Sequence, residues 1–248
     1  MKFYFAGGLI YHNQINPKSL GVNRVLSSWL EKKQHLYPLY EIFLDSGAFT
    51  AETQGIHIEL KDYIAHIKEN ITNLKVYANL DVIYNAEKTY ENYLAMGAEG
   101  LNPLPVYHQG EDKKFLLDYL ENSDYIALGG LVGSGRSILE PFLDNCFSII
   151  KNYWPKKIHG FGINALWALK KYPFYSIDST SWMPGGRYGS IYSSPKISEG
   201  SMKKDINSFM YTKTLNYKEM AIINIKQFLQ LEKDIVYYWK RRGIVWED

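Results

Sequence analysis

EIFLDSGAF (Glu41–Phe49), YANLDV (Tyr77–Val82) and YSIDSTSW (Tyr175–Trp182) are built alike: an apolar, strand-like run, an aspartate, then small or polar residues. An α/β fold presents acids at one rim in this way. If the strands are parallel neighbours, Asp45, Asp81 and Asp178 converge at their carboxyl ends. Several acids drawn from distant segments, two of them with aromatics alongside, suit nucleophilic or acid–base chemistry on a flat, nitrogen-rich substrate.

Outward from these runs, strand-like and helix-like stretches alternate. The strands are KFYFAGG (Lys2–Gly8), EIFLDSG, VYANLDV, LNPLPVY (Leu101–Tyr107), YIALGGL (Tyr125–Leu131), KIHGFGI (Lys157–Ile163) and FYSIDST (Phe174–Thr180). Between them lie NRVLSSWLEKK, LKDYIAHIKEN, AEKTYENYLAMG, KKFLLDYLENS, ILEPFLDNCFSIIKNY and ALWALKKY, several with apolar residues at three- and four-residue spacing. Such alternation implies right-handed βαβ units and a parallel sheet. The expectation is an α/β (β/α)8 TIM-type barrel forming one domain over residues 1–248, with GSIYSS (Gly189–Ser194) offering the eighth strand and a C-terminal helix from Tyr217 to about Arg242. The stretch from Met183 to Ser201, rich in Gly, Ser and Pro, reads as a loop or lid.

Bulk composition agrees. The 248 residues match the roughly 250 that such a barrel needs. A hydrophobic content of 46% is globular, and a net charge of +2 permits a polyanionic partner without demanding one. The single cysteine, Cys146, excludes an intrachain disulfide and a Cys-rich zinc site and fits a reducing compartment. MKFYFAGGLI is soon broken by glycine and is not a signal peptide; no apolar run approaches the roughly 20 residues of a membrane span. The expected location is the cytoplasm of a bacterial or phage-infected cell.

Each motif has a plain structural alternative. Asp45-Ser46-Gly47 is also an ordinary turn, and Asp178 is also a strand-end acid capping a helix. GLVGSGRS (Gly130–Ser137) imitates a phosphate-binding loop, but Arg136 stands in the lysine position. HGFGINA (His159–Ala165) imitates a dinucleotide fingerprint with Asp178 in the place of the ribose acid, yet too few strands follow to complete that domain. The six histidines show no H-x-x-x-H or H-E-x-x-H spacing, so neither metal nor cofactor is expected, and no G-x-S-x-G elbow marks a serine hydrolase.

In order and spacing, the motifs from about Phe43 to Arg187 resemble the tRNA-guanine transglycosylase superfamily (queuine tRNA-ribosyltransferase-like proteins), and within it the short, phage-type enzymes that insert 7-deazaguanine bases into DNA. DSGAF resembles the family's DSGGF or DSGGY run. The likeness implies Asp45 as general acid/base, with Ser46 beside it and Phe49 stacked under a purine. Asp81 in NLDV matches the acid that reads the guanine edge. Gln109-Gly110 is similar to the family's Gln-Gly pair, and Gly129-Gly130-Leu131 to the Gly-Gly-Leu that meets the base's exocyclic edge. HGFGI, with Gly162, resembles the glycine-rich strand opposite the stacking aromatic, and Asp178 matches the nucleophile. One cysteine cannot build the tRNA enzymes' zinc hairpin, so the resemblance implies a compact barrel without a zinc subdomain. It further implies DNA rather than RNA as substrate and a free 7-deazaguanine as co-substrate.

That chemistry is a retaining displacement: a glycosyl-aspartate forms and is resolved by a second base. Trp182, Arg187, Lys203 and Lys204 are the expected contacts to the strand. Water in place of the second base would make the protein a DNA glycosylase. Loss of chemistry would leave a nucleic-acid-binding barrel, and a nucleotide-dependent oxidoreductase on HGFGINA comes last.

Overall fold

The computed structural model describes residues 1–7, 15–32, 39–183, 190–193, 208–211 and 215–247. In chain order its strands are β1 (Lys2–Ala6), β2 (Arg24–Ser28), β3 (Glu41–Asp45), β4 (Leu74–Tyr77), β5 (Val106–His108), β6 (Tyr125–Gly129), β7 (Lys157–Gly160), β8 (Ser176–Ser179), β9 (Ser190–Ser193) and β10 (Ser208–Tyr211). The helices are α1 (Ala48–Gln54), α2 (Leu60–Asn70), α3 (Ala86–Ala98), α4 (Lys113–Asn122), α5 (Arg136–Ile150), α6 (Leu166–Lys171) and α7 (Tyr217–Lys240). The class is α/β with parallel strands and a C-terminal helix, as the alternation implies. The chain divides into two units, Arg24–His159 and a second made of Met1–Asn23 with Gly160–Asp248, where one domain was expected.

In the unit Arg24–His159, β2 pairs in parallel with β3 from Arg24↔Glu41 to Ser28↔Asp45, and β3 pairs in parallel with β4. A parallel bridge, Ala78↔Leu104, links the end of β4 to the approach of β5. Around it the Asn79 N–H donates to the Leu104 carbonyl and the Leu104 N–H to that of Tyr77, each at 2.8 Å. β5 then pairs in parallel with β6, and β7 lies beside β6. Helices return the chain between strands, so strands such as β6 are buried on both faces and read as continuous apolar runs. Trp29, Leu44, Tyr63, Ile67, Leu80 and Met96 form a buried cluster beneath α2 and α3.

β2 corrects the sequence reading, which made NRVLSSWLEKK a helix. Arg24–Ser28 alternates half-buried and buried residues, the period of a strand. Ser28 then caps a short 3-10 turn by accepting the Leu30 N–H, and Lys32, at φ 49°, ends it. The expected eighth strand is corrected too: β9 pairs antiparallel with β10 in a separate two-stranded ribbon, so GSIYSS adds nothing to the parallel sheet. Most of the Met183–Ser201 stretch lies outside the described residues. Among the described residues no helix is long and apolar enough to cross a membrane.

In the other unit, β1 pairs in parallel with β8, Tyr4 opposite Asp178. α7 opens on a capping box, Asn216 accepting the Glu219 N–H while Glu219 accepts that of Asn216. Its buried residues Met220, Ala221, Asn224, Ile225, Phe228, Leu231, Ile235 and Trp239 recur every three or four positions, one helical stripe. Phe228 stacks on Phe3 at 5.0 Å, and the Trp239 indole donates to the Leu169 carbonyl at 2.8 Å.

One glycine is irreplaceable for two reasons. Gly47 has φ 76°, and a Cβ there would sit 2.7 Å from Ser28 Oγ and 3.0 Å from Leu30 Cγ. Gly55 has a similar φ of 65° but open space around it. Urea unfolding is therefore expected to show Gly47→Ala costing about 2–4 kcal/mol and Gly55→Ala only about 1 kcal/mol, because left-handed strain is common to both and the clash is not.

Candidate active site

β3 ends on Asp45, whose Oδ2 accepts the Gly47 N–H at 3.0 Å. This turns the chain sharply into α1, a helix that the sequence reading did not foresee. Ser46 is buried and accepts the Ala48 N–H at 3.4 Å, while Phe49 is 65% exposed on the first turn of α1. The strand-end acid is thus braced by its own turn, and the aromatic ring beside it stays in solvent.

Asp81 lies four residues past β4 rather than on its last residue. α3 clamps the intervening backbone. Asn79 Nδ2 donates to the Thr89 carbonyl (2.8 Å), Val82 N–H to Thr89 Oγ1 (2.9 Å) and Asn92 Nδ2 to the Leu80 carbonyl (2.9 Å). Side chains of Thr89 and Asn92 thus satisfy the loop backbone at Val82 and Leu80, and Asn79 ties the loop back to the α3 backbone. Asp81 Oδ2 is 3.4 Å from His108 Nε2, at the end of β5, and His108 Nδ1 is 3.2 Å from Glu111 Oε1. Asp81 Oδ1 is buried with no hydrogen-bond partner among the described residues.

The electrostatics follow from burial. Burial pushes the Asp81 carboxyl up, against the pull of His108. At His108 burial works downward, but Asp81 and Glu111 outweigh it and hold the imidazole up to about 10 from an ordinary 6.5. The geometry favours the ion pair, since both ring nitrogens face carboxylate oxygens. Tyr63 connects Asp81 with Asp45. Its buried hydroxyl donates to the Ala78 carbonyl at 2.8 Å, and its pKa is raised by burial first and then by both acids.

The glycines of the β6 end have specific work. A Cβ on Gly129 would lie 2.5 Å from His108 Cδ2 and 2.6 Å from Nε2, so this glycine makes room for the imidazole. Gly130, at φ 71°, is exposed beside Gln109, and Leu131 is buried. Arg136, in the phosphate-loop lookalike, makes a two-pronged contact with Glu140 at 2.8 and 3.1 Å.

In the other unit Asp178 is 7% exposed on β8. Its Oδ1 accepts the Gly162 N–H at 2.8 Å, and Gly162 holds φ 66° in the turn after β7. Next to it Ser179 Oγ accepts from Asn164 Nδ2 (2.9 Å) and the Ser181 N–H (3.0 Å). The polar run DSTS is thereby largely hydrogen-bonded to the glycine-rich turn and to itself. Trp182 corrects its expected role as a strand contact: it is 4% exposed, donates to the Ala6 carbonyl at 2.8 Å and packs edge-on against Phe5. Arg187, Lys203 and Lys204 lie outside the described residues.

Within Arg24–His159, then, Asp45, Asp81, Gln109, Gly129 and Gly130 all fall at or just beyond carboxyl ends of parallel strands. The sequence reading missed His108 and Glu111. Their signal was present, two ionisable residues three apart directly after the apolar strand LPVY, but only metal-type histidine spacings were weighed. It also missed Tyr84, a 96% exposed ring at φ 63° in the loop after Asp81. Among the described residues no group of three or more His, Cys, Asp or Glu is arranged to hold a metal ion. No known protein-family model matches the chain, and no curated protein does.

A histidine whose folded pKa is raised stabilises the fold fully below its ordinary pKa and ceases to do so as pH rises through the folded value. His108 is therefore expected to contribute stability that is complete below 6.5 and lost by about pH 10. Chemical unfolding across that range should show the wild type losing stability relative to His108→Asn. At pH 6 the same substitution should cost about 3–5 kcal/mol, because it leaves two largely shielded acids without their cation.

Proposed function

We propose that the chain is a nucleic-acid guanine transglycosylase on a (β/α)8-type barrel, exchanging guanine in DNA for a free 7-deazaguanine base. The observation that carries this reading is the Asp178 carboxylate, buried and held through Oδ1 by the Gly162 N–H at 2.8 Å. A nucleophile for an anomeric carbon must be ionised, oriented and shielded from bulk water. A backbone N–H donor on one oxygen orients the carboxyl group and sets the direction of the other.

In the proposed reaction an Asp178 oxygen attacks C1′, the C1′–N9 bond breaks and its electron pair leaves with guanine. Asp45 delivers a proton to the departing base. The incoming base then returns a proton to Asp45, its nitrogen attacks C1′, and the ester to Asp178 breaks. Phe49, exposed beside Asp45, is the stacking surface for the purine, and Asp81 is the acceptor for its N–H edge. A duplex substrate presents its base by flipping, at a cost of a few kcal/mol.

The test is to trap a covalent adduct with guanine-containing DNA and to analyse the nucleosides formed. Asp178→Asn should abolish the adduct. Asp112→Asn, an exposed N-cap for which asparagine serves equally well, should keep it. Full base exchange by Asp178→Asn would refute the nucleophile. Abasic sites in place of a modified nucleoside would identify water as the acceptor, and DNA binding with no product would leave a binding protein. Asp81→Asn should lower kcat/KM for guanine exchange by about 10–100-fold, the scale of one charge-assisted hydrogen bond.

A further inference from the structure

His108 has no part in the chemistry above, yet the structure around it is closely fitted to its ring. Its two ring nitrogens each face a carboxylate, Asp81 Oδ2 at 3.4 Å and Glu111 Oε1 at 3.2 Å. A neutral imidazole carries one N–H and one lone pair, so one of these contacts would set a lone pair against a carboxylate. Both are attractive only when both nitrogens bear hydrogen.

The cradle around the ring is built from both sides. Glu111 grips the residue a second time, its Oε2 accepting the His108 backbone N–H at 2.9 Å, and its own carbonyl accepts the Tyr107 hydroxyl at 2.9 Å. Gly129 leaves the space that the ring occupies. Opposite, the Asn79–Val82 loop is clamped to α3 by Thr89 and Asn92, so Asp81 cannot easily drift toward or away from the imidazole. The ion pair consumes Oδ2 of Asp81 and leaves Oδ1 without a partner among the described residues. Oδ1 itself is buried, and the Asp81 side chain as a whole is 11% exposed.

We propose that His108 is a positioning residue: a lasting imidazolium that locks Asp81 through Oδ2 and so reserves Oδ1 to accept an N–H from the bound base. The proposal rests on the reading of Asp81 as the base acceptor. It adds a reason for selectivity. A locked carboxylate only accepts, so an oxygen placed at the N1 position takes the N–H of guanine and 7-deazaguanines and repels adenine held in the same pose, whose N1 is itself an acceptor. A carboxyl group free to take up a proton would discriminate less, because its O–H could donate to adenine.

The groups facing His108 are Asp81 from the loop after β4, Glu111 from the loop before α4 and the uncharged Gly129 of β6. Nearby, Tyr63 of α2 and Tyr119 of α4 have hydroxyls pushed to higher pKa by burial and by these acids, so they stay neutral. Neither tyrosine therefore competes with the two carboxylates for the ring.

The experiment is a proton–nitrogen NMR titration of the His108 ring in the full chain, with equilibrium binding of guanine and adenine to the same samples. Both ring N–H groups are expected to persist from pH 6 to pH 9, and Asp81→Asn or Glu111→Gln should each lower the titration midpoint. Wild-type guanine affinity should be flat over that range. His108→Gln should weaken it at least tenfold at pH 6, recover part of the loss as pH rises, and narrow the preference over adenine. A ring that loses one N–H near pH 6.5 overturns the lock, whatever ligand binds. If His108→Gln fails to fold, the two acid variants still decide the ring's protonation. A ring that keeps both N–H groups while no purine binds overturns the guanine reading and leaves the imidazolium lock standing.

Discussion

Parallel pairing is the constraint from which everything in the unit Arg24–His159 follows. A strand can hydrogen-bond to its sequence neighbour in parallel only if the chain first crosses back, and α2, α3, α4 and α5 make those crossings. Every strand then ends at the same edge. Asp45 after β3, Asp81 after β4, His108 on β5 and Gly129 on β6 are far apart in sequence and share one edge for that reason alone. The backbone groups that the short strands leave over must be satisfied elsewhere, and the answer differs at each end. At β3 the acid accepts from its own turn; past β4, side chains of α3 take over.

Burying charge at that edge has consequences of its own. Asp81 and Glu111 are both mostly shielded, and two carboxylates brought together in low dielectric destabilise one another unless a cation lies between them. His108 supplies it. The geometry also explains why β6 ends in glycine: any side chain there would displace the ring that keeps the two acids compatible. Gly129 resembles a base-contacting glycine in sequence, but its immediate steric role is to accommodate a neighbouring imidazole. In the other unit the same economy appears in smaller form, with one backbone N–H at Gly162 facing one buried carboxylate at Asp178.

Sequence and structure part at instructive points. LKDYIAHIKEN and KKFLLDYLENS read as helices because their apolar residues recur at helical spacing, and α2 and α4 occupy those stretches almost residue for residue. NRVLSSWLEKK failed because Val25, Leu26, Trp29 and Leu30 fall at helical spacing, whereas pairing with the β3 backbone makes Arg24–Ser28 a strand. GSIYSS is a strand, but a strand's partner is not written in its own residues, and β10 took it rather than the parallel sheet. Trp182 read as a nucleic-acid contact because tryptophan beside polar residues is ambiguous, until the Ala6 carbonyl is seen to accept its indole N–H.

From the residues alone came the α/β class, the strand-end acids Asp45 and Asp178 and the tight turn at Gly47, because periodicity and turn chemistry act over a few neighbours and are therefore visible in order along the chain. Which carboxylate meets which cation, why Gly129 must lack a side chain, and that Arg24–Ser28 is a strand depend on segments brought together by folding. Contacts of that kind leave no local pattern, since each partner is chosen by the space and charge that the other presents.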